Sequence, residues 1–313
     1  MSAEIAQLLA QVRTETGEAA LAAATAPSPA PTRRVAGAAQ TGVGPIDAVL
    51  GAAELTAARP VVELVGAPGS GKTQTLYRIS AAAAMDGGHV LFVDSSGTAS
   101  ARLLAQSMRG AAGATEAAVA ETLGRVHLFA PATTAGLVAT LAMLPKYASA
   151  RGIAAAALVV DGLGSHHWID RRESAFLRLQ IKRATPWFRQ QQQLVDTLHA
   201  ACGALGCVAF AANSLLLRDA PQAARAAAAA ADAADAAAPS ERSFAAGGRW
   251  YRDHMIGRWQ AVVAQTFVLE SAACADHPDR TRVTFQAAGH AARTACIGPR
   301  GLQDHGSSTW GSA

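Results

Sequence analysis

Four short apolar runs punctuate the chain: VVELVG (61–66), HVLFVD (89–94), AALVVDG (156–162) and CVAFAAN (207–213). Runs of this length without polar alternation are typical of strands covered on both faces, and the intervals between them accommodate crossover helices. The pattern therefore predicts an α/β fold built on a parallel sheet. A second pattern follows. AVVAQTFVLES, RTRVTFQAA and ARTACIG crowd together, separated by the turn-prone DHPDR and AAGHA, and that spacing predicts antiparallel strands continuing the same sheet. At the other end, Ile5, Leu8, Leu9 and Val12 recur at helical spacing and predict a short amphipathic helix within 3–23. The stretch ATAPSPAPTRRVAGAAQ then reads as an extended linker in which Arg33 and Arg34 are solvated. Residues 1–40 are thus expected to be helix and linker, and 41–313 a core. Residues 220–248, almost all small, offer no bulky apolar face and read as a mobile insertion.

Half of the 313 residues are hydrophobic, enough for a sizeable core. Alanine contributes much of that half, so alanine-rich periodicity alone is given no weight. No strongly apolar run approaches a membrane span, and MSAEIAQLLAQVR lacks the layout of a secretory leader, so the chain is expected to be soluble and intracellular. Cys202, Cys207, Cys274 and Cys296 have neither zinc-site spacing nor the density of a disulfide scaffold, which leaves buried thiols. All but three of the 27 cationic side chains are arginine and the net charge is +4, a balance that suits phosphate contacts and only weakly favours nucleic acid.

The first apolar run leads into GAPGSGKT. Gly66, Gly71, Lys72 and Thr73 satisfy G-x-x-x-x-G-K-[ST] between a strand and a helix, the layout of a phosphate-binding loop. Backbone amides of Ala67, Pro68's neighbours, Gly69, Ser70 and Gly71 are expected to curl around phosphate oxygens at a helix N-terminus. Lys72 should reach the terminal phosphates and the Thr73 hydroxyl should ligate magnesium. A partner carboxylate is expected at the end of another buried strand, and Asp161 in ALVVDG fills that position.

Three further segments resemble the RecA-like recombinase core: TGVGPIDAVLG (41–51) ahead of the loop, the continuation of the loop into Gln74, and VLFVDSSGTASARLL one helix later. LVVDGLGSHHWID (158–170), YRDHMIGRWQAVV (251–263) and CIGPRGL (296–302) resemble the eukaryotic recombinase paralogues of the X-ray repair cross-complementing group. The resemblance implies a RecA-like P-loop core spanning about 41–302, with ATP and magnesium as ligands. In recombinases a glutamate on the second strand handles the attacking water and a glutamine after the fourth senses the terminal phosphate. Ser96 and Ser214 stand at those places, so the expectation is nucleotide binding with slow or absent hydrolysis, Asp94 being the carboxylate that would substitute in part.

The resemblance also assigns two DNA-contacting segments. One is Gly162 to Ser174, with Arg171 and Arg172; the other is Leu217 to Arg249, with Arg218, Arg225, Arg242 and Arg249. It implies assembly with other paralogue subunits, with the 3–23 helix as docking element, and a nuclear role in repairing double-strand breaks by homologous recombination. The alternatives are a DNA-stimulated RecA-like ATPase acting alone and, more remotely, a small-metabolite kinase. His166, His167 and Trp168 are read as packing under a loop, because adjacent histidines cannot both face one ion. Gln190 to Gln193 are read as the exposed face of a helix.

Overall fold

The computed structural model describes residues 13–15, 40–50, 55–109, 115–180, 186–214, 216–218, 243–246, 249–252, 255–274, 279–288, 290–298 and 301–304. The four apolar runs are strands: β2 (Val61–Gly66), β3 (His89–Asp94), β5 (Ala155–Asp161) and β6 (Val208–Ser214). A short strand that the apolar pattern did not announce, β4 (Val126–Phe129), joins them beyond β3. The C-terminal cluster supplies β10 (Val263–Ala273), β11 (Thr281–Ala287), β12 (Arg293–Gly298) and β13 (Gly301–Asp304). All lie in one ten-stranded sheet, ordered β1-β4-β3-β5-β6-β2-β10-β11-β12-β13, where β1 is Arg13–Glu15. Pairing is parallel from β1 through β10 and antiparallel from β10 through β13. The molecule is thus an α/β fold with a mostly parallel sheet flanked by helices and closed by antiparallel strands.

Helices cover both faces, which is why the central strands read as continuous apolar runs rather than alternating ones. On one face lie α1 (Gly44–Leu50), α2 (Lys72–Met85) and α3 (Ala101–Arg109), whose Ile46, Leu76, Ile79 and Met108 pack with Leu64, Phe92 and Val159 of the strands. On the other lie α5 (Thr134–Ala150), α7 (Pro186–Leu205) and α8 (Gly257–Val262), whose Leu137, Leu141, Leu198 and Trp259 pack with Leu91, Leu158 and Val160. Each such side chain, once fully buried, contributes about 1.5–3 kcal/mol. Two smaller helices complete the layers, α4 (Glu116–Leu123) and α6 (His167–Gln180).

Two polar arrangements fix the ends of this core. Thr41 donates to Asp47 Oδ1 through both its amide and its hydroxyl, each at 2.7 Å, while Val43 O accepts the first amides of α1. Arg78 of α2 donates to Gly42 O at 3.0 Å, so TGVGPID acts as a cap that fastens α1 to the helix after the glycine-rich loop. Within β2, the fully buried Glu63 accepts from Trp259 Nε1 at 2.6 Å and from the Thr266 hydroxyl at 2.9 Å. Those bonds tie β2, α8 and β10 together beneath the loop.

Several expectations change. Of the span read as an amphipathic helix, only Arg13–Glu15 is described, and it is extended, because the edge of β4 offers backbone partners that an isolated helix would forgo. The insertion is not without structure throughout. Ser243–Ala246 forms β8 and pairs with β9 (Arg249–Arg252), which pairs in turn with β7 (Leu216–Arg218) in a small antiparallel sheet; the alanine-rich 219–242 lie outside the described residues. Gln191 is buried rather than exposed, its amide nitrogen 3.1 Å from His167 Nδ1, since α7 turns that side toward α6. The four cysteines are buried free thiols, as the spacing implied. Among the described residues, no helix is long and apolar enough to cross a membrane.

Candidate functional site

The strands β2, β3, β5 and β6 end together, with Gly66 opposite Ser214 and Asp94 opposite Asp161. Loops from their carboxyl ends converge on one crevice, the place where ligands settle in open parallel sheets. The first loop turns sharply from β2 into α2. At Gly66 a Cβ would lie 2.4 Å from both Leu269 O and Ser70 Oγ. At Gly71, φ is +96° and a Cβ would press on Val283 and Ile297 at 3.0 and 3.1 Å. Only glycine meets both demands, and the tight turn places the N-terminus of α2 at the crevice.

Lys72 opens that helix with 8% of its surface exposed, and its Nζ donates to Gly66 O at 2.9 Å and Ala67 O at 2.8 Å. Burial pushes its pKa down from 10.5 to about 8, although the Asp161 carboxylate nearby pulls the other way. Thr73 donates its hydroxyl to Asp161 Oδ2 at 2.8 Å. Burial pushes the Asp161 carboxyl up, opposed by the Thr73 hydrogen bond. The crevice encloses about 350 Å³. Pro68, Gly69, Gly71, Lys72, Thr73 and Gln74 form one side of it. Asp161, Ser96, Thr98, Ser165 and Ser214 also line it, and Thr281 and Ile297 close the flank beside Gly71.

Asp94 does not face this space. Its Oδ1 accepts from the Ser96 amide and hydroxyl and the Gly97 amide, and its Oδ2 from the Ala99 amide, at 2.6–3.0 Å. Those four bonds spend the carboxylate on shaping the loop after β3, so Asp94 does not stand in for a water-activating acid. Ser96 is exposed at the crevice, and Ser214 follows the fully buried Asn213 at the end of β6. Among the described residues, Asp161 is the carboxylate that lines the crevice.

The arginine segments divide. Arg171 and Arg172 sit not on a loop but on the first turns of α6, which begins at His167 because a turn at Gly162–Ser165 and the Asp170 amide bond to His166 O nucleate the helix early. Arg171 lies 5.7 Å over the Trp168 ring. His167 is buried, as read, but Trp168 and Ile169 are 54% and 55% exposed. Arg218 and Arg249 are strand residues, Arg218 registered with Trp250 and Arg249 with Ala246. Arg225 and Arg242 lie outside the described residues.

The sequence reading missed Thr98, Ser165, Thr281 and Ile297. The first two are within five residues of named positions and were within reach of the motif. Thr281 and Ile297 come from strands some two hundred residues later, and nothing local marks them. A buried ammonium, a helix N-terminus and a hydroxyl hydrogen-bonded to a carboxylate fit a phosphorylated ligand with a divalent cation. Thr73 and Asp161, joined by their 2.8 Å bond, are the residues that could hold such a cation; no cluster of three or more His, Cys, Asp or Glu side chains stands together among the described residues. Compared with known proteins, the chain matches no family model and no curated sequence.

Proposed function

We propose that this chain is an ATP-binding RecA-like P-loop protein of the recombinase-paralogue type, with weak or no hydrolysis, acting as a subunit of a paralogue complex in homologous recombination in the nucleus. The observation that carries the nucleotide reading is the meeting of Lys72, Thr73 and Asp161 at one crevice, with the Thr73–Asp161 bond at 2.8 Å. The loop amides and Lys72 would hold the phosphates, and Thr73 with Asp161 would hold magnesium, which when bound neutralises phosphate charge. Hydroxyls at Ser96 and Ser214 where recombinases carry Glu and Gln support slow turnover, since losing a positioned catalytic group commonly costs about 10²–10⁴ in rate. The sheet order supports the RecA-like assignment, because the strand bearing Asp161 is separated from the loop strand by β6. The exposed Trp168 beside Arg171 and Arg172 is the surface offered to DNA.

The test has three parts. A fluorescent ATP analogue with magnesium should bind the wild type and not Lys72→Ala. Phosphate release with and without single-stranded DNA should stay far below recombinase rates; rates comparable to those of a recombinase would instead favour a solitary DNA-stimulated ATPase. Tagged protein expressed in its own cells should recover other RecA-type proteins, and recovery of none would remove the paralogue reading.

A further inference from the structure

We infer that Ser165 is the residue by which the crevice distinguishes a nucleoside triphosphate from a diphosphate, its hydroxyl donating to the terminal phosphate. The inference rests on the nucleotide-binding reading above and names what that site selects. Ser165 ends a tight turn that leaves the carboxyl end of β5. Its amide donates to Gly162 O at 2.9 Å, and Gly162 has a φ of +80°. A Cβ added at Gly162 would lie 2.2 Å from Ser165 Oγ, so the hydroxyl occupies the room that the missing side chain leaves. The turn thus fixes Ser165 Oγ directly over the residue after Asp161.

That place matters because of what stands next to it. Asp161 accepts from Thr73 at 2.8 Å, and Thr73, Asp161, Gly162 and Ser165 all line the crevice. In phosphate-handling sites of this kind the cation bridges oxygens of the last two phosphates. With the cation at the Thr73–Asp161 pair, the terminal phosphate belongs beside Asp161, and the hydroxyl over the following residue is the next donor it meets.

The hydroxyl is also available. Ser165 is exposed, and among the described residues its side chain makes no hydrogen bond. Its neighbours in the crevice are already engaged. Ser96 donates to Asp94 Oδ1 and shares a 2.6 Å contact with Thr98, and Thr73 donates to Asp161. Ser165 therefore gives up only water when it turns to a ligand. A hydrogen bond to a charged phosphate oxygen is stronger than one to a neutral acceptor, so the exchange favours a ligand that puts phosphate there. A diphosphate lacks that group and gains nothing from the serine.

Isothermal titration calorimetry of the full-length protein with magnesium tests this, using ADP and the non-cleavable imidotriphosphate analogue of ATP on wild type, Ser165→Ala and Ser214→Ala. Ser165→Ala should bind the triphosphate about tenfold more weakly, the low end of the loss for a hydrogen bond to a charged group, and should bind ADP as wild type does. The unchanged ADP affinity shows at the same time that the site is intact. Equal losses for the two ligands, or no loss for either, overturn the inference and leave nucleotide binding standing. A triphosphate preference that vanishes in Ser214→Ala and persists in Ser165→Ala does the same. If wild type binds neither ligand, both readings fall.

Discussion

The turn into α2 makes a quantitative prediction through the pair Gly71→Ala and Gly69→Ala. Both glycines have positive φ, +96° and +78°, so alanine at either incurs a left-handed penalty of about 1–2 kcal/mol. Both substitutions also narrow the unfolded ensemble, which returns about 0.4–1 kcal/mol. Gly69→Ala, whose Cβ would meet nothing within 4 Å, should therefore lie within roughly 1.5 kcal/mol of wild type. Gly71→Ala adds contacts at 3.0 and 3.1 Å with the branched side chains of Val283 and Ile297, which are buried or half-buried on paired strands and have little room to yield. Overpacking of this kind costs about 1–3 kcal/mol, and that should be the difference between the two variants. Urea unfolding of wild type and both variants, followed by far-UV circular dichroism, measures it. Equal midpoints for the two alanine variants would show that the antiparallel strands do not press on the loop and would remove the flank of the crevice described above.

Other outcomes follow from the same geometry. Lys72 keeps its proton to a higher pH when unfolded (10.5) than when folded (about 8), so the unfolded chain binds more protons between those values. Ligand-free stability should therefore rise with pH across that window by about 3 kcal/mol. Urea midpoints on either side of the window should lose that rise in Lys72→Met; parallel curves for the two proteins would refute the shift. Trp259→Phe removes the indole donor from the fully buried Glu63 and should cost about 1–3 kcal/mol in a thermal or urea melt, whereas an unchanged melt would mean the bond is dispensable. Arg171→Ala and Arg172→Ala should each weaken single-stranded DNA binding and reduce the slope of log affinity against log salt by about 1, measured by fluorescence anisotropy; an unaltered slope would exclude that helix end from the DNA surface.

The parallel strands were legible because burial on both faces leaves unbroken apolar runs, and VVELVG, HVLFVD, AALVVDG and CVAFAAN fall within a residue of β2, β3, β5 and β6. The glycine-rich loop was legible for a related reason, since its backbone demands are met by residue types at fixed spacing. What escaped was anything set by partners distant in sequence. Arg13–Glu15 is a strand only because β4 is beside it. The helix onset at His167 depends on a turn whose residues look like loop. Asp94 seemed available for chemistry because a carboxylate in sequence says nothing of the four donors arranged around it. Likewise, only the register of the small sheet sets position 250 opposite position 218.

The flank supplied by Thr281 and Ile297 bears on how the protein is made. The loop and its lysine leave the ribosome some two hundred residues before the strands that enclose them, and β10, the neighbour of β2, emerges only shortly before β11 and β12. A nascent or truncated chain thus carries the whole phosphate-loop motif yet lacks one wall of the crevice. On the nucleotide-binding proposal, capture would await completed synthesis, and a premature stop near Cys274 would remove that wall while leaving the signature sequence intact.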